Sequence, residues 1–277
     1  MVSANWFPSF HYSNLNGWKN EGMHLSTPSD TAAKLLDAYI AQVIFHDSDP
    51  TYGNIESTSK QMFEADPDFV MGKTVKYSLE CFGVNPKKET KLIYDINTFI
   101  KETETKELPR WEKDHVDALK YVAEENWASA INLYDNILVQ HPKDIFALQM
   151  GFFLGLFSGK KEVLRGLPSK VVNEYPQEHR YHGNVQGKLC FGYEECGQIS
   201  LAEKAGEISI SHTPNDIWTI HAIGHIHDAT LEVYGNTLYD HVSGVIKQQK
   251  DILFKFYLNL QFFYKSEKYI NDYHSCL

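Results

Sequence analysis

The chain has 277 residues, of which 43% are hydrophobic and 22% are charged, a composition with enough apolar material for a folded core. Its formal net charge is -10, which argues against nucleic acid as a partner because phosphate contacts need clustered Lys and Arg. An acidic chain instead favours basic or neutral partners. No window reaches the roughly 18 uninterrupted apolar residues of a membrane span, so we expect no membrane association.

The four cysteines are scattered, with neither a CxxC pair nor the dense spacing of a disulfide framework. They are Cys81, Cys190, Cys196 and Cys276. A reducing compartment is the simpler interpretation, and we expect a cytoplasmic protein. The first residues also lack a basic start followed by an apolar core, so no secretory signal is expected.

The N-terminal region, 1–25, is rich in aromatic residues, Asn and Gly but has no hydrophobic period, and we expect it to form an arm or cap. A helix start at 26–30 then opens a predicted helical-repeat domain that covers 26–234. The further helices predicted before the first clear repeat cover 53–65, 69–82 and 89–106, with a turn at 83–86.

The segment 114–142 fits the 34-residue tetratricopeptide repeat (TPR) pattern in one register, with Pro142 as the closing proline. The five matching positions are Ala118, Tyr121, Ala130, Tyr134 and Ile137. Two antiparallel helices approach closely only where small side chains face each other, and aromatic side chains fill the space beside them. This segment is therefore predicted to be a helical hairpin.

Two further closing prolines, Pro176 and Pro214, follow Pro142 at intervals of 34 and 38 residues. The helices predicted between them cover 144–157, 161–174, 182–196 and 199–211, with Ala202 at a small position and an aromatic core stripe at Phe146, Phe152, Phe153 and Phe157. The sequence thus predicts an all-α, right-handed superhelix of degenerate TPR-like helical hairpins. The alternative is an irregular helical bundle, because the copy between Pro142 and Pro176 lacks the small residues.

The C-terminal segment, 235–277, breaks this rhythm and is predicted to be an atypical aromatic-rich tail. Between Phe254 and Phe262 apolar and polar residues alternate strictly, which suits a half-buried strand better than a helix. The tail either binds a partner or is foreign to the repeat array.

The segment 216–234 is predicted to be the first helix of another hairpin. On this helix His221 and His225 lie one turn apart, and Asp228 and Glu232 continue the same stripe. An imidazole pair followed by a carboxylate can hold zinc or another divalent metal. The HExxH metalloprotease signature is absent, because the position after His221 is alanine.

A polar groove is the interpretation that we favour for this stripe, with simple burial of neutral histidine as a further alternative. His115 lies on the first helix of the clear repeat, the helix type that usually lines a groove, and a solvated first-turn residue is its alternative. The groove candidates are His115, His221, His225, His227, Asp228 and Glu232, although His227 lies roughly opposite His225. No catalytic residue, metal or cofactor is assigned.

Two runs, LPRWEKDHVDALKYVAEENWASAINLYDNILVQHPKDIFAL and GKLCFGYEECGQISLAEKAGEISISHTPNDIWTIHAIGHIHD, together with ADPDFVMG, resemble the tetratricopeptide repeat protein 38 family. The resemblance covers about 26–234 and is most specific at the turn 140–144 and the W-x2-H-x3-H-x-H helix. It implies a superhelix with a groove and carries over His115, His221, His225 and His227. Nothing from 236 onward matches the further hairpins of the family, so a shortened or alternative form is expected, with weak binding if those hairpins complete a His-lined pocket.

Two functions follow as hypotheses. The first is a TPR-like scaffold or adaptor that binds a peptide or protein segment along its concave face, and we do not expect it to be an enzyme. The second is a metal-binding protein or metal-dependent enzyme that uses His221, His225 and Asp228.

Overall fold

The computed structural model describes the backbone of residues 11–82 and 86–229, and the side chains in these ranges except those of 86–89 and 227–229. The regular elements of this part are all helices, which confirms the predicted all-α class. None of these helices is long and apolar enough to cross a membrane. The helices are α1 (Leu15–Asn20), α2 (Asp30–Phe45), α3 (Ile55–Ala65), α4 (Val70–Glu80), α5 (Pro86–Thr103), α6 (Arg110–Ala123), α7 (Trp127–Gln140), α8 (Ile145–Phe157), α9 (Lys161–Val171) with a 3-10 turn at Val172–Glu174, α10 (His182–Glu195), α11 (Ile199–His212) and α12 (Ile217–Ala229).

The chain divides into two compact units, Met1–Met150 and Gly151–Leu277, and the division falls within α8. The predicted helices agree with α2 to α11 to within a few residues at each end. Most of the turn predicted at 83–86 and the whole tail with its predicted strand lie outside the described residues. The predicted domain limits at 26 and 234 stay a prediction.

Helix α1 lies inside the predicted N-terminal arm, where the sequence analysis found no helix. Asn14 caps it by accepting a hydrogen bond from the Gly17 amide at 3.0 Å. Trp18 is buried, and its indole nitrogen donates to the Ala33 carbonyl at 3.2 Å. Six residues are too few to show a helical period, so only the packing of Trp18 reveals this element.

The α6–α7 hairpin packs at the small residues that the repeat pattern picks out. Ala118 and Ala130 are both fully buried, and Tyr134 and Ile137 fill the space behind them. Tyr121 is only half-buried. The predicted interior of this hairpin is therefore confirmed at four of its five positions.

The second unit is built around an aromatic core. Trp218 of α12 packs edge-to-face against Phe152 at 4.8 Å and Phe191 at 5.3 Å between ring centres. Phe153 and Phe157 are partly buried against the same cluster, so three positions of the predicted aromatic stripe belong to this core. The fourth, Phe146, is buried in the first unit.

A glycine lets α10 approach α9 closely in this unit. A Cβ atom at Gly192 would lie 2.5 Å from the Leu164 carbonyl oxygen and 2.7 Å from the Arg165 Cα. Because these are backbone atoms, the clash cannot be relieved by rotating a side chain. We expect Gly192→Ala to lower the free energy of unfolding by about 1 to 3 kcal/mol in urea denaturation.

The matched control for this substitution is Gly166→Ala in α9, where an added Cβ meets no atom within 4 Å. Alanine is favoured over glycine inside a helix by roughly 0.5 to 1 kcal/mol, so Gly166→Ala should be neutral or stabilising. Equal decreases in the free energy of unfolding for Gly192→Ala and Gly166→Ala would contradict the close approach of α10 to α9 at Gly192.

Candidate functional site

An open groove of about 480 Å³ runs between α6 and α7 in the first unit. The groove residues that carry polar groups include Asp114, Asp117, Lys120, Tyr121, Asn132 and Asn136. The α6 residues lie on one stripe of the helix, because positions three, four and seven apart share a face. None of the six was selected from the sequence as a candidate site residue.

Among the described residues, the charges in this groove leave one cation without an ion-pair partner. Asp114 accepts from the Arg110 guanidinium, with Nε 2.8 Å from Oδ1, and Asp117 lies 3.8 Å from the Lys113 ammonium. Lys120 is exposed and has no ion-pair partner within 11–82 and 86–229. Within the described part of the chain, Lys120 is therefore the charge of this groove that can meet an anionic group of a ligand.

Two asparagines line the other wall of the groove. Asn132 and Asn136 are exposed and lie one turn apart on α7, so their side chains point along the same face. Each side-chain amide has donor and acceptor atoms, the two functions that an extended peptide backbone also presents. The spacing of this pair is visible in the sequence, but only packing places it opposite the α6 residues of the groove.

The structure places His115 in the interior and not at an exposed surface. Its side chain is fully buried, and Nε2 donates to Asp144 Oδ2 at 2.7 Å. Trp111 Nε1 donates to the same oxygen at 2.7 Å, and the Phe146 ring centre is 5.6 Å from the imidazole. This position agrees with neither expectation, since His115 is neither a groove residue nor a solvated first-turn residue.

The second candidate site is the imidazole pair on α12 in the second unit. The ring centres of His221 and His225 are 4.3 Å apart, as expected for positions that share a helix face. His225 Nδ1 lies 3.3 Å from Glu194 Oε1 of α10, and the side chains of these two residues expose 26% and 15% of their surface. Glu194 was not predicted, because it comes 31 residues earlier in the chain.

Burial keeps His221, one member of this pair, neutral. Burial, with a further contribution from the neighbouring His225, lowers the pKa of His221 to about 3. Burial and then Glu194 raise the pKa of Glu195, the next residue on α10. His221 therefore presents an uncharged imidazole at physiological pH.

The remaining groove candidates on this segment lie partly or wholly outside the described residues. The side chains of His227 and Asp228 and the whole of Glu232 lie outside the described part of the chain. Among the described side chains, no group of three or more His, Cys, Asp and Glu residues is arranged to hold a metal ion. No described carboxylate thus completes the three-ligand set that a metal-dependent enzyme was predicted to use.

A buried polar cluster joins α10 to α12 and was not predicted. Asp216 Oδ1 accepts from the Thr219 amide at 2.9 Å, and Oδ2 accepts from Asn184 Nδ2 at 3.2 Å. Lys188 is fully buried in this unit, and its ammonium has no hydrogen-bond partner among the described residues. Burial, partly offset by the charge of Asp216, lowers the pKa of Lys188 to about 8.

Comparison with known proteins provides no template for either site. No family model matches the chain, and no solved structure matches it.

Proposed function

We propose that this protein is a TPR-like scaffold, a right-handed superhelix of degenerate helical hairpins related to the tetratricopeptide repeat protein 38 family. In this proposal it binds a peptide or protein segment in the groove between α6 and α7. The observation that carries the proposal is the open groove with its exposed asparagine pair and with Lys120, which has no ion-pair partner in the described part of the chain.

The packing of the hairpin supports a repeat of this kind. Ala118 and Ala130 are buried at the crossing of α6 and α7, the arrangement that the TPR pattern requires. Cytoplasmic residence belongs to the same proposal, and the free thiols of the three described cysteines are compatible with it.

The chemistry of the groove suits an extended segment better than a small molecule. The groove is open, and small-molecule sites are usually concave pockets with mostly apolar walls. Asn132 and Asn136 can each exchange hydrogen bonds with a peptide backbone, while Lys120 can pair with an acidic side chain. The half-buried ring of Tyr121 adds an apolar surface with a hydroxyl at its end.

The test begins with selection of binding peptides from a displayed random library against the full chain. Their affinity is then measured by calorimetry for the wild type and for the double variant Asn132→Ala/Asn136→Ala. Two lost hydrogen bonds of about 1 kcal/mol each should weaken binding by about 30-fold.

The matched control is Asn97→Ala, which removes an exposed asparagine from α5 in the same unit, outside the groove. Its affinity should equal that of the wild type. Failure to select any peptide, or equal affinities for the wild type and the double variant, would contradict a groove that binds extended segments.

A further inference from the structure

The charges along α6 give the groove between α6 and α7 a polarity. At its beginning, Arg110 Nε lies 2.8 Å from Asp114 Oδ1, and in the middle the Lys113 ammonium lies 3.8 Å from Asp117. Lys120, near the end of α6, is exposed and has no ion-pair partner among the described residues. Both carboxylates that line the groove thus face a cation, and the uncompensated charge of this wall is positive.

This local charge decides which ligand the groove fits, although the whole chain carries a formal net charge of -10. Charges on exposed groups are largely screened beyond about 8 Å at physiological ionic strength. The acidic residues elsewhere on the chain therefore contribute little at Lys120. The net charge favours basic or neutral partners for the protein as a whole, whereas the groove itself can accept a carboxylate.

The hairpin fixes where along the groove this carboxylate binds. α6 ends at Ala123 and α7 begins at Trp127, so residues equally far from the turn between them lie level on the two antiparallel helices. Lys120 is level with the fourth residue of α7, which comes two residues before Asn132 and six before Asn136. At 1.5 Å per residue, Lys120 lies about 3 Å along the axis from Asn132 and about 9 Å from Asn136.

An extended peptide has a repeat that matches these distances. Its residues advance by about 3.3 Å, so alternate residues lie about 6.6 Å apart. Asn132 and Asn136 lie about 6 Å apart along α7, and their amides can bind the backbone of alternate residues. The Lys120 ammonium then meets a side chain one or two places beyond the residue that Asn132 binds, on the side away from Asn136.

We propose that the occupant of the groove is an extended protein segment with an acidic residue at one end, whose carboxylate pairs with Lys120 while Asn132 and Asn136 bind the backbone. This inference rests on the proposed function, since it names the partner of the same groove. The other end of the segment needs no acidic residue, because there Asn136 is level with Asp114, which already pairs with Arg110.

The test uses the peptides selected against the full chain, with affinities measured by calorimetry. Their aligned sequences should show Asp or Glu at one end of the motif. A synthetic peptide with the corresponding amide at this position should bind the wild type about 5-fold more weakly, as expected for the loss of an exposed ion pair. Lys120→Met should bind the acidic and the amide peptide equally, and Lys120→Arg should keep the preference for the acidic peptide.

The matched control is Lys101→Met, which removes an exposed lysine from α5 in the same unit, outside the groove. Because it changes the net charge by the same amount, it should keep both the affinity and the preference for the acidic peptide. Selected peptides without an acidic position, or an unchanged preference in Lys120→Met, would overturn the role of Lys120. Weaker binding by Asn132→Ala/Asn136→Ala would in that case still support the proposed function, whereas failure to select any peptide would overturn both.

Discussion

Replacing Asp144 by alanine is expected to lower the free energy of unfolding by about 3 to 5 kcal/mol, because two buried donors, at about 1 to 3 kcal/mol each, and a helix cap lose their acceptor. Asp144 is almost fully buried, and its carboxylate accepts hydrogen bonds from Trp111 and His115. Its other oxygen caps α8 by accepting from the Ala147 amide at 2.8 Å. Alanine would leave two buried donors and a helix terminus without their acceptor.

The measurement is urea denaturation of Asp144→Ala, Asp144→Asn and the control Asp68→Ala. Asparagine keeps an acceptor for the Ala147 amide, so Asp144→Asn should lower the free energy of unfolding by less than Asp144→Ala does. Asp68 lies on the surface with 86% of its side chain exposed, 3.7 Å from the Lys73 ammonium, and its removal should cost less than about 1 kcal/mol. Similar decreases in the free energy of unfolding for Asp144→Ala and Asp68→Ala would contradict a stabilising role of the buried hydrogen bonds of Asp144.

The stabilisation by Asp144 should also depend on pH. Burial by itself raises its pKa, but the charge of His115 and the hydrogen bonds from His115, Ala147 and Trp111 outweigh burial, so the pKa lies below its ordinary value. The unfolded state then binds more protons as the pH falls below about 4, and the stabilisation that is complete at neutral pH is lost. The difference between the wild type and Asp144→Asn should therefore shrink between pH 5 and the acid limit of folding.

Replacing both Lys188 and Asp216 should make the protein more stable by about 1 to 4 kcal/mol, because two buried ionisable groups that form no salt bridge with each other are exchanged for packed neutral residues. The double variant is Lys188→Met/Asp216→Asn. Methionine fills the space of the lysine stem without an ammonium to desolvate, and asparagine keeps an oxygen for the Thr219 amide. Each single variant should be less stable than the double variant, because it leaves one ionisable group buried without its electrostatic interaction with the other.

The pH dependence of the free energy of unfolding distinguishes removal of the buried Lys188 charge from improved packing alone. The pKa of Lys188 is about 8 in the folded protein, against about 10.4 in an unfolded chain. Between these values the unfolded state binds more protons, so the wild type becomes more stable as the pH rises, by up to about 3 kcal/mol. The advantage of the double variant should therefore be largest below pH 8 and decrease toward pH 10.

Urea denaturation between pH 7 and 10 measures this profile, with Lys204→Met as control. Lys204 is an exposed lysine on α11, and its replacement should change the stability by less than about 0.5 kcal/mol. A double variant less stable than the wild type at pH 7, or an advantage that does not change with pH, would contradict a costly buried ammonium.

The helices were predictable because their limits are signalled by neighbouring residues. Ser29 caps α2 by accepting from the Ala32 amide at 3.1 Å, where the sequence predicts a helix start. Pro142 and Pro214 follow α7 and α11 within two residues. Burial of Ala118 and Ala130 was predictable for a related reason, since the hairpin pattern selects small residues at a fixed spacing.

The partners of the polar side chains were not predictable in the same way. His115 and Asp144 are 29 residues apart, and His225 and Glu194 are 31 apart, so no local pattern connects them. The sequence analysis placed His115 in an exposed groove, while the turn before α8 brings Asp144 over it and buries both. The groove between α6 and α7 was missed for the converse reason, because its polar residues belong to two helices that only packing brings together.

The sequence by itself determined the all-α class, the order of the helices from α2 onward and the shared face of His221 and His225, because each depends on a local period or cap. Only the tertiary structure decided which polar groups are buried, which meet across helices and which stay in solvent. These outcomes depend on how helices distant in sequence pack, and a contact of 3 Å is sensitive to rotations that no hydrophobic pattern specifies. His115 became a core residue and Glu194 a partner of His225 for that reason.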